Sequence, residues 1–192
     1  IYYAVKANPA PEILRLLASM GSSFDCASVA EIEMAMDAGA SADRISYGNT
    51  IKKERDILRA FELGIRLFAI DCVEEAEKIG RVAPGSKVFC RVLTDGEGAE
   101  WPLSRKFGCA PSMAIDVLRH AKALNLTPWG VSFHVGSQQV NLDAWDRALA
   151  DAKMVFATLA EEGIVLGLVN MGGGFPTRYL KDVPSAQSYG QA

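Results

Sequence analysis

Short apolar runs alternate with segments of helical period along the whole chain. The runs are 1–5, 23–26, 44–47, 67–71, 87–92, 131–135 and 165–171. Most are continuously apolar rather than alternating, the pattern of strands buried on both faces of a parallel sheet. Between them lie helical segments. Residues 11–20 begin with Pro11 in the first turn and carry Ile13, Leu14, Leu17 and Met20 on one stripe. Residues 29–38 follow Ser28, with Glu31 three positions on as in a capping box, and stop at Gly39. Residues 53–63 stop at Gly64 in the same way, and 73–82 and 111–124 continue the series. The longest segment, 142–162, spaces Leu142, Trp145, Leu149, Ala152, Phe156 and Leu159 by alternating threes and fours. Its aromatic residues therefore read as packing groups.

Six strand–helix units and a seventh strand imply parallel β-α-β crossovers. An open doubly wound sheet and a (β/α)8 TIM barrel both fit this order. Seven strands without an evident switch point favour the barrel. A complete barrel needs about 250 residues, so 192 residues leave it short by roughly one unit. The chain opens inside an apolar run and stops soon after a glycine-rich turn, so the expectation is an incomplete barrel, residues 1–192, cut from a longer polypeptide.

Composition narrows the function classes. Twenty Lys and Arg against 23 Asp and Glu give a net charge of −3, with signs mixed along the chain. That balance does not suit a nucleic-acid binder. No apolar run approaches the roughly 18 residues of a membrane helix, and no secretory leader is visible. The expected compartment is the cytoplasm. Cys26, Cys72, Cys90 and Cys109 lack metal-ligand spacing and read as reduced thiols, most of them buried.

In a parallel barrel, chemistry gathers where the strands end. The residues expected there are Lys6, Asp25, Ser28, Asn49, Asp71, Arg91, His134, Gly136, Ser137 and the run Gly172-Gly173-Gly174. A Lys after an apolar strand either reaches solvent or is desolvated into a usable amine nucleophile. Three successive glycines make either a tight turn or a nest of N–H groups for an anion. His134 offers a flat ring, and Ser137 a hydroxyl. Asp25 and Glu31 have ordinary helix-terminal explanations as well. An amine, an anion nest, a hydroxyl and a ring together suit pyridoxal 5′-phosphate.

Tyr3-Ala4-Val5-Lys6-Ala7-Asn8 resembles a motif of the fold-type III, group IV pyridoxal-phosphate decarboxylases. Phe24-Asp25-Cys26-Ala27-Ser28 with Glu31, Ser104-Arg105-Lys106-Phe107-Gly108, His134-Val135-Gly136-Ser137 and Gly172-Gly173-Gly174-Phe175-Pro176 match later motifs of that family in order. The resemblance implies an alanine-racemase-type barrel, a following β-rich domain and a homodimer. It implies that Lys6 carries the cofactor as a Schiff base and that His134 stacks on its ring. Ser137, Gly173 and Gly174 would hold the phosphate, and Asp25 and Glu31 would stand near the ring. Residues 45–52 and 100–104 look like the bacterial ornithine/lysine branch. Eukaryotic-type relatives carry Arg where this chain has Pro102, a role that Arg105 is expected to take.

The implied reaction is decarboxylation of a small basic amino acid, ornithine to putrescine and CO2. Lysine, arginine and diaminopimelate remain alternative substrates, and a non-catalytic regulator or cofactor carrier remains an alternative role. In relatives the acid facing the pyridine nitrogen, the proton-donor Cys and the acids for the distal amine lie beyond position 192. The resemblance therefore implies that these 192 residues alone turn over poorly.

Overall fold

The computed structural model describes residues 1–101, 106–179 and 182–191. In chain order its strands are β1 (Tyr2–Ala4), β2 (Ser23–Cys26), β3 (Ile45–Tyr47), β4 (Leu67–Ile70), β5 (Lys87–Arg91), β6 (Ala99–Trp101), β7 (Thr127–Ser132), β8 (Ser137–Gln139) and β9 (Leu168–Asn170). Its helices are α1 (Pro11–Ser19), α2 (Val29–Asp37), α3 (Glu54–Glu62), α4 (Val73–Val82), α5 (Pro111–Ala123), α6 (Asp143–Glu161) and α7 (Ala186–Gln191). Seven strands form one curled parallel sheet in the order β1-β2-β3-β4-β5-β7-β9. This is an incomplete barrel of the alanine-racemase type.

The continuous apolar runs are explained by burial on both faces. Phe24, Ile45, Phe68, Ile70, Val88 and Val131 are wholly buried or nearly so. Helices α2, α3, α4 and α5 cover the outer face with residues such as Ile32, Ile57, Ile79 and Leu118. Inside the curl, Tyr2, Ser46, Leu67, Phe89 and Val169 line a cavity of about 370 Å³.

Several boundaries differ from the sequence pattern for local reasons. Residues 5–7 leave β1 as a 3-10 turn, so Lys6 stands just after the strand. Strand β7 begins at Thr127, before the apolar run, and includes Pro128. A shift in register opposite Val88 and Phe89 skips Trp129 at this point. Proline is tolerated at such a bulge because no regular ladder bond is required there. Strand β9 is shorter than the 165–171 run, and Val165 is 79% exposed. As an edge strand, β9 has β7 as its one neighbour among the described residues. The antiparallel β6–β8 pair and helix α7 lie outside the strand–helix rhythm altogether.

One buried ion pair ties the outer layer to the sheet. Lys52, 3% exposed, donates from Nζ to the carbonyls of Asn49 (2.8 Å) and Ala69 (2.6 Å). It also pairs with Glu75 on α4 at 2.9 Å. Glu75 accepts from the Lys52 backbone N–H and from the Lys78 ammonium as well. Burial pushes the Lys52 amine down to about 8, against the attraction of Glu75. Removing one partner of such a pair strands a charge. Glu75→Leu should therefore lower unfolding free energy by about 3–5 kcal/mol in denaturant titrations. A loss below about 1 kcal/mol, the range of an exposed pair, would show that Lys52 is not held as described.

Candidate functional site

The carboxyl ends of β1, β2, β5 and β7 bring Lys6, Asp25, Arg91 and His134 into mutual electrostatic range. Lys6 is exposed, so of its two expected states the structure has the amine reaching solvent at the mouth. Its charge is felt by both Asp25 and His134.

Asp25 accepts a 2.6 Å hydrogen bond from the Ser46 hydroxyl of β3. Gly48 gives it room, since a Cβ there would lie 2.1 Å from Asp25 Oδ1. The Gly48 N–H is held in turn by the Cys26 carbonyl at 2.8 Å. Burial pushes the Asp25 carboxyl above its usual range, and the nearby Glu31 charge adds to this. The Ser46 bond, Lys6 and Arg91 act in the opposite direction. Arg91 is itself lowered by burial and supported by Asp71 and Asp25. Asp71 accepts from the Gly108 N–H at 2.9 Å, which places the 106–109 segment beside Arg91.

Glu31 is occupied as a cap. Its Oε2 accepts from the Ala27 N–H at 2.6 Å, and its own N–H donates to the Ser28 hydroxyl at 3.2 Å. The capping box is thus displaced by one residue, because the Glu carboxylate bonds Ala27 rather than Ser28. Glu31 reaches the site by its charge on Asp25.

His134 is half-buried, and its Nδ1 accepts a 3.0 Å hydrogen bond from the Gly136 N–H. That bond needs the Nδ1 lone pair, so the neutral ring carries its proton on Nε2. Thr94 Oγ1 donates to the His134 carbonyl at 2.6 Å, fixing the backbone below the ring. Burial, Arg91 and Lys6, in that order, push the imidazole below its ordinary value.

The glycine run packs directly on the His134–Ser137 turn. A Cβ at Gly172 would lie 2.5 Å from the Phe133 carbonyl oxygen. A Cβ at Gly174 would lie 2.2 Å from that of Gly136, and Gly174 has φ +101°. Neither position can carry a side chain. Gly173 faces His134 Nε2, at 3.8 Å from where its Cβ would stand. Among the described residues the N–H groups of Gly173 and Gly174 meet no acceptor, whereas the Gly172 N–H is taken by Asn170 Oδ1. Ser137 opens β8, beside this turn.

Ser46, Gly48 and Thr94 carry no site role in the sequence pattern, and Asp71 and Arg91 appear there only as strand ends. Their parts depend on which strands are neighbours. Ser104, Arg105 and Pro102, the last at the position of the family's Arg, lie outside the described residues. All four cysteines are free thiols, with Cys72 half-buried and the others buried. The Cys26 thiol is pushed far up by burial and by the Asp25 and Glu31 charges, which makes it a poor nucleophile. Among the described residues no cluster of metal-ligating side chains is present.

Residues 1–190 match the family described as pyridoxal-dependent decarboxylase, pyridoxal binding domain. The chain belongs to that family. It is 42% identical over 177 residues to the chloroplastic ornithine decarboxylase of Nicotiana glauca, covering 91% of this chain and 41% of the relative. It matches the crystal structure of lysine decarboxylase from Selenomonas ruminantium at a TM-score of 0.90 and 36% identity, over 98% of this chain and 49% of that one. It also matches the arginine decarboxylase of Paramecium bursaria Chlorella virus at a TM-score of 0.87 and 32% identity, over 91% of this chain and 48% of that one. The chain thus spans a little under half the length of these decarboxylases.

The geometry of His134 in this pyridoxal-binding domain sets a pH dependence. Its proton affinity is lowered on folding, so the unfolded chain takes up the proton first as pH falls. Stability should therefore decline as pH drops below the ordinary histidine value of 6.5. Nitrogen-resolved NMR should show the ring neutral at pH 7 with its proton on Nε2. Arg91→Met should move its titration upward. A ring protonated on Nδ1 at pH 7 would contradict this geometry.

Proposed function

We propose that this chain is the cofactor barrel of a pyridoxal-phosphate-dependent decarboxylase that converts L-ornithine to putrescine and CO2. The observation that carries the reading is the joining of the Lys6–Asp25–Arg91–His134 rim to an open glycine cradle. The cradle fits a phosphate. Among the described residues the N–H groups of Gly173 and Gly174 meet no acceptor, and a side chain is excluded at Gly174. A neutral, half-buried ring beside it fits the flat face of a pyridine. An exposed amine at the mouth fits an aldehyde partner.

In this reading Lys6 is the amine that would hold the cofactor's aldehyde carbon. His134 would offer its flat ring to the pyridine. Ser137, Gly173 and Gly174 would hold the phosphate. Asp25, with proton affinity raised by burial, holds or accepts a proton close to Lys6, and Arg91 sets the local charge. Glu31 fixes the turn at Ala27, directly after the strand that carries Asp25. When bound, pyridoxal phosphate supplies the electron sink for the charge left at the substrate Cα as the carboxylate departs. Groups beyond residue 192 would complete substrate recognition, in a following β-rich domain and across a homodimer. Among the described residues no helix is long and apolar enough to cross a membrane.

The direct test is chemical. Full-length protein mixed with pyridoxal phosphate should turn yellow, and borohydride followed by mass spectrometry should locate the cofactor on Lys6. Lys6→Ala should abolish both signals; a persistent yellow species in that variant would remove Lys6 from its role.

Substrate and extent are tested by turnover. Among ornithine, lysine and arginine, the full-length protein should show its highest kcat/KM on ornithine. Residues 1–192 alone should fall at least about a hundredfold below it, the order of loss when catalytic groups are absent. A preference for lysine would overturn the substrate, and comparable activity of the short chain would overturn the division of labour.

A further inference from the structure

Gln139, wholly buried at the end of β8, uses every polar group it has. Its N–H donates to the Gly174 carbonyl at 2.9 Å. Its side-chain amide donates to the carbonyls of Val135 and Glu97, both at 2.9 Å, and its Oε1 accepts from the Asn141 N–H. Its own carbonyl accepts from the Tyr189 hydroxyl of α7 at 2.7 Å. The same hydroxyl accepts from the Trp145 indole N–H of α6 at 2.9 Å. The Trp145 ring stacks on Phe175, centroids 5.1 Å apart and 27° from parallel. Phe175 directly follows Gly174, and it meets Tyr189 edge-on at 6.1 Å.

This is a closed circuit around the proposed phosphate cradle. One arm of the cradle, 135–139, is held through Gln139. The other, 172–175, is held through Gly174 and Phe175. The Tyr189 hydroxyl joins the two arms, since it bonds Gln139 and the indole that stacks on Phe175. Buried polar circuits of this kind fix one geometry, because each member left unpaired costs the full desolvation of its group.

We propose that Tyr189 is a positioning residue for phosphate binding, acting through Gln139 and the Trp145–Phe175 stack to set the spacing between Ser137 and the Gly173–Gly174 N–H groups. The proposal rests on the reading of that turn as a phosphate cradle. Its effect is confined to the phosphate end, because the circuit touches neither Lys6 nor Asp25.

The test compares two probes, pyridoxal 5′-phosphate and pyridoxal, which differ by the phosphate alone. Affinities for the full-length protein are read from protein fluorescence and visible absorbance, without turnover. Tyr189→Phe keeps the ring and removes the hydroxyl. It should weaken pyridoxal phosphate roughly tenfold, as for a lost buried hydrogen bond, and leave pyridoxal within about twofold. Equal weakening of both probes, or of neither, overturns the proposal. If Tyr189→Phe does not fold by circular dichroism, Phe175→Leu answers the same question, since Phe175 is 61% exposed and is not needed for the core. It should show the same selective loss, and unchanged affinities would overturn the proposal. If the unaltered protein binds both probes equally, the cradle reading itself fails, and this inference with it.

Discussion

A parallel strand can pair with its predecessor only after a crossover has carried the chain back to the end where that predecessor began. Helices α1 to α6 perform this return, and every strand of the main sheet consequently finishes at one rim. Lys6 and the turn after β9 are separated by most of the sequence and still open onto the same mouth. Close backbone approach completes the arrangement. The last turn can reach the His134–Ser137 segment only because Gly172 and Gly174 lack side chains. Without those two contacts the rim would hold charged groups and no cradle beside them.

The rim is electrically balanced rather than uniformly charged. Asp25 is half-buried, and desolvation raises its proton affinity; Ser46, Lys6 and Arg91 work against that. Burial first, and then the same two cations, lower the proton affinity of His134. A site built this way raises the proton affinity of one residue and lowers that of another close by. Divergent proton affinities among neighbouring groups are a mark of reactive sites. Lys52 is the contrasting case: it too is buried beside carboxylates, yet it spends its donors on Asn49, Ala69 and Glu75 and faces no open space.

The fold was largely legible from the sequence because its periods are long and consistent. Helices α1 to α5 lie within a residue or two of the segments marked by Pro11, Ser28, Gly39, Gly64 and Pro111. Strands were less well bounded. Strand β7 begins at Thr127 rather than at the apolar run from 131, and 165–167 read as strand although Val165 faces solvent. Strands β6 and β8 and helix α7 are short, polar and without period, so nothing local announces them. For the site, Lys6, Asp25, His134 and the glycines were legible as ends of apolar runs. The Ser46–Asp25 bond, the space left by Gly48 and the Gln139 circuit were not, because each joins residues that only tertiary structure makes neighbours. Glu31 was legible as a cap, and capping is what its carboxylate does.

Among the described residues β1 and β9 each have a single neighbour in the sheet. Tyr2, Val169 and Met171 stand partly exposed along these borders, next to unused ladder groups. An unprotected edge of this kind recruits any strand of suitable register, including one from another copy of itself. Each of these borders is a place where a further strand can add to the sheet by ladder hydrogen bonds.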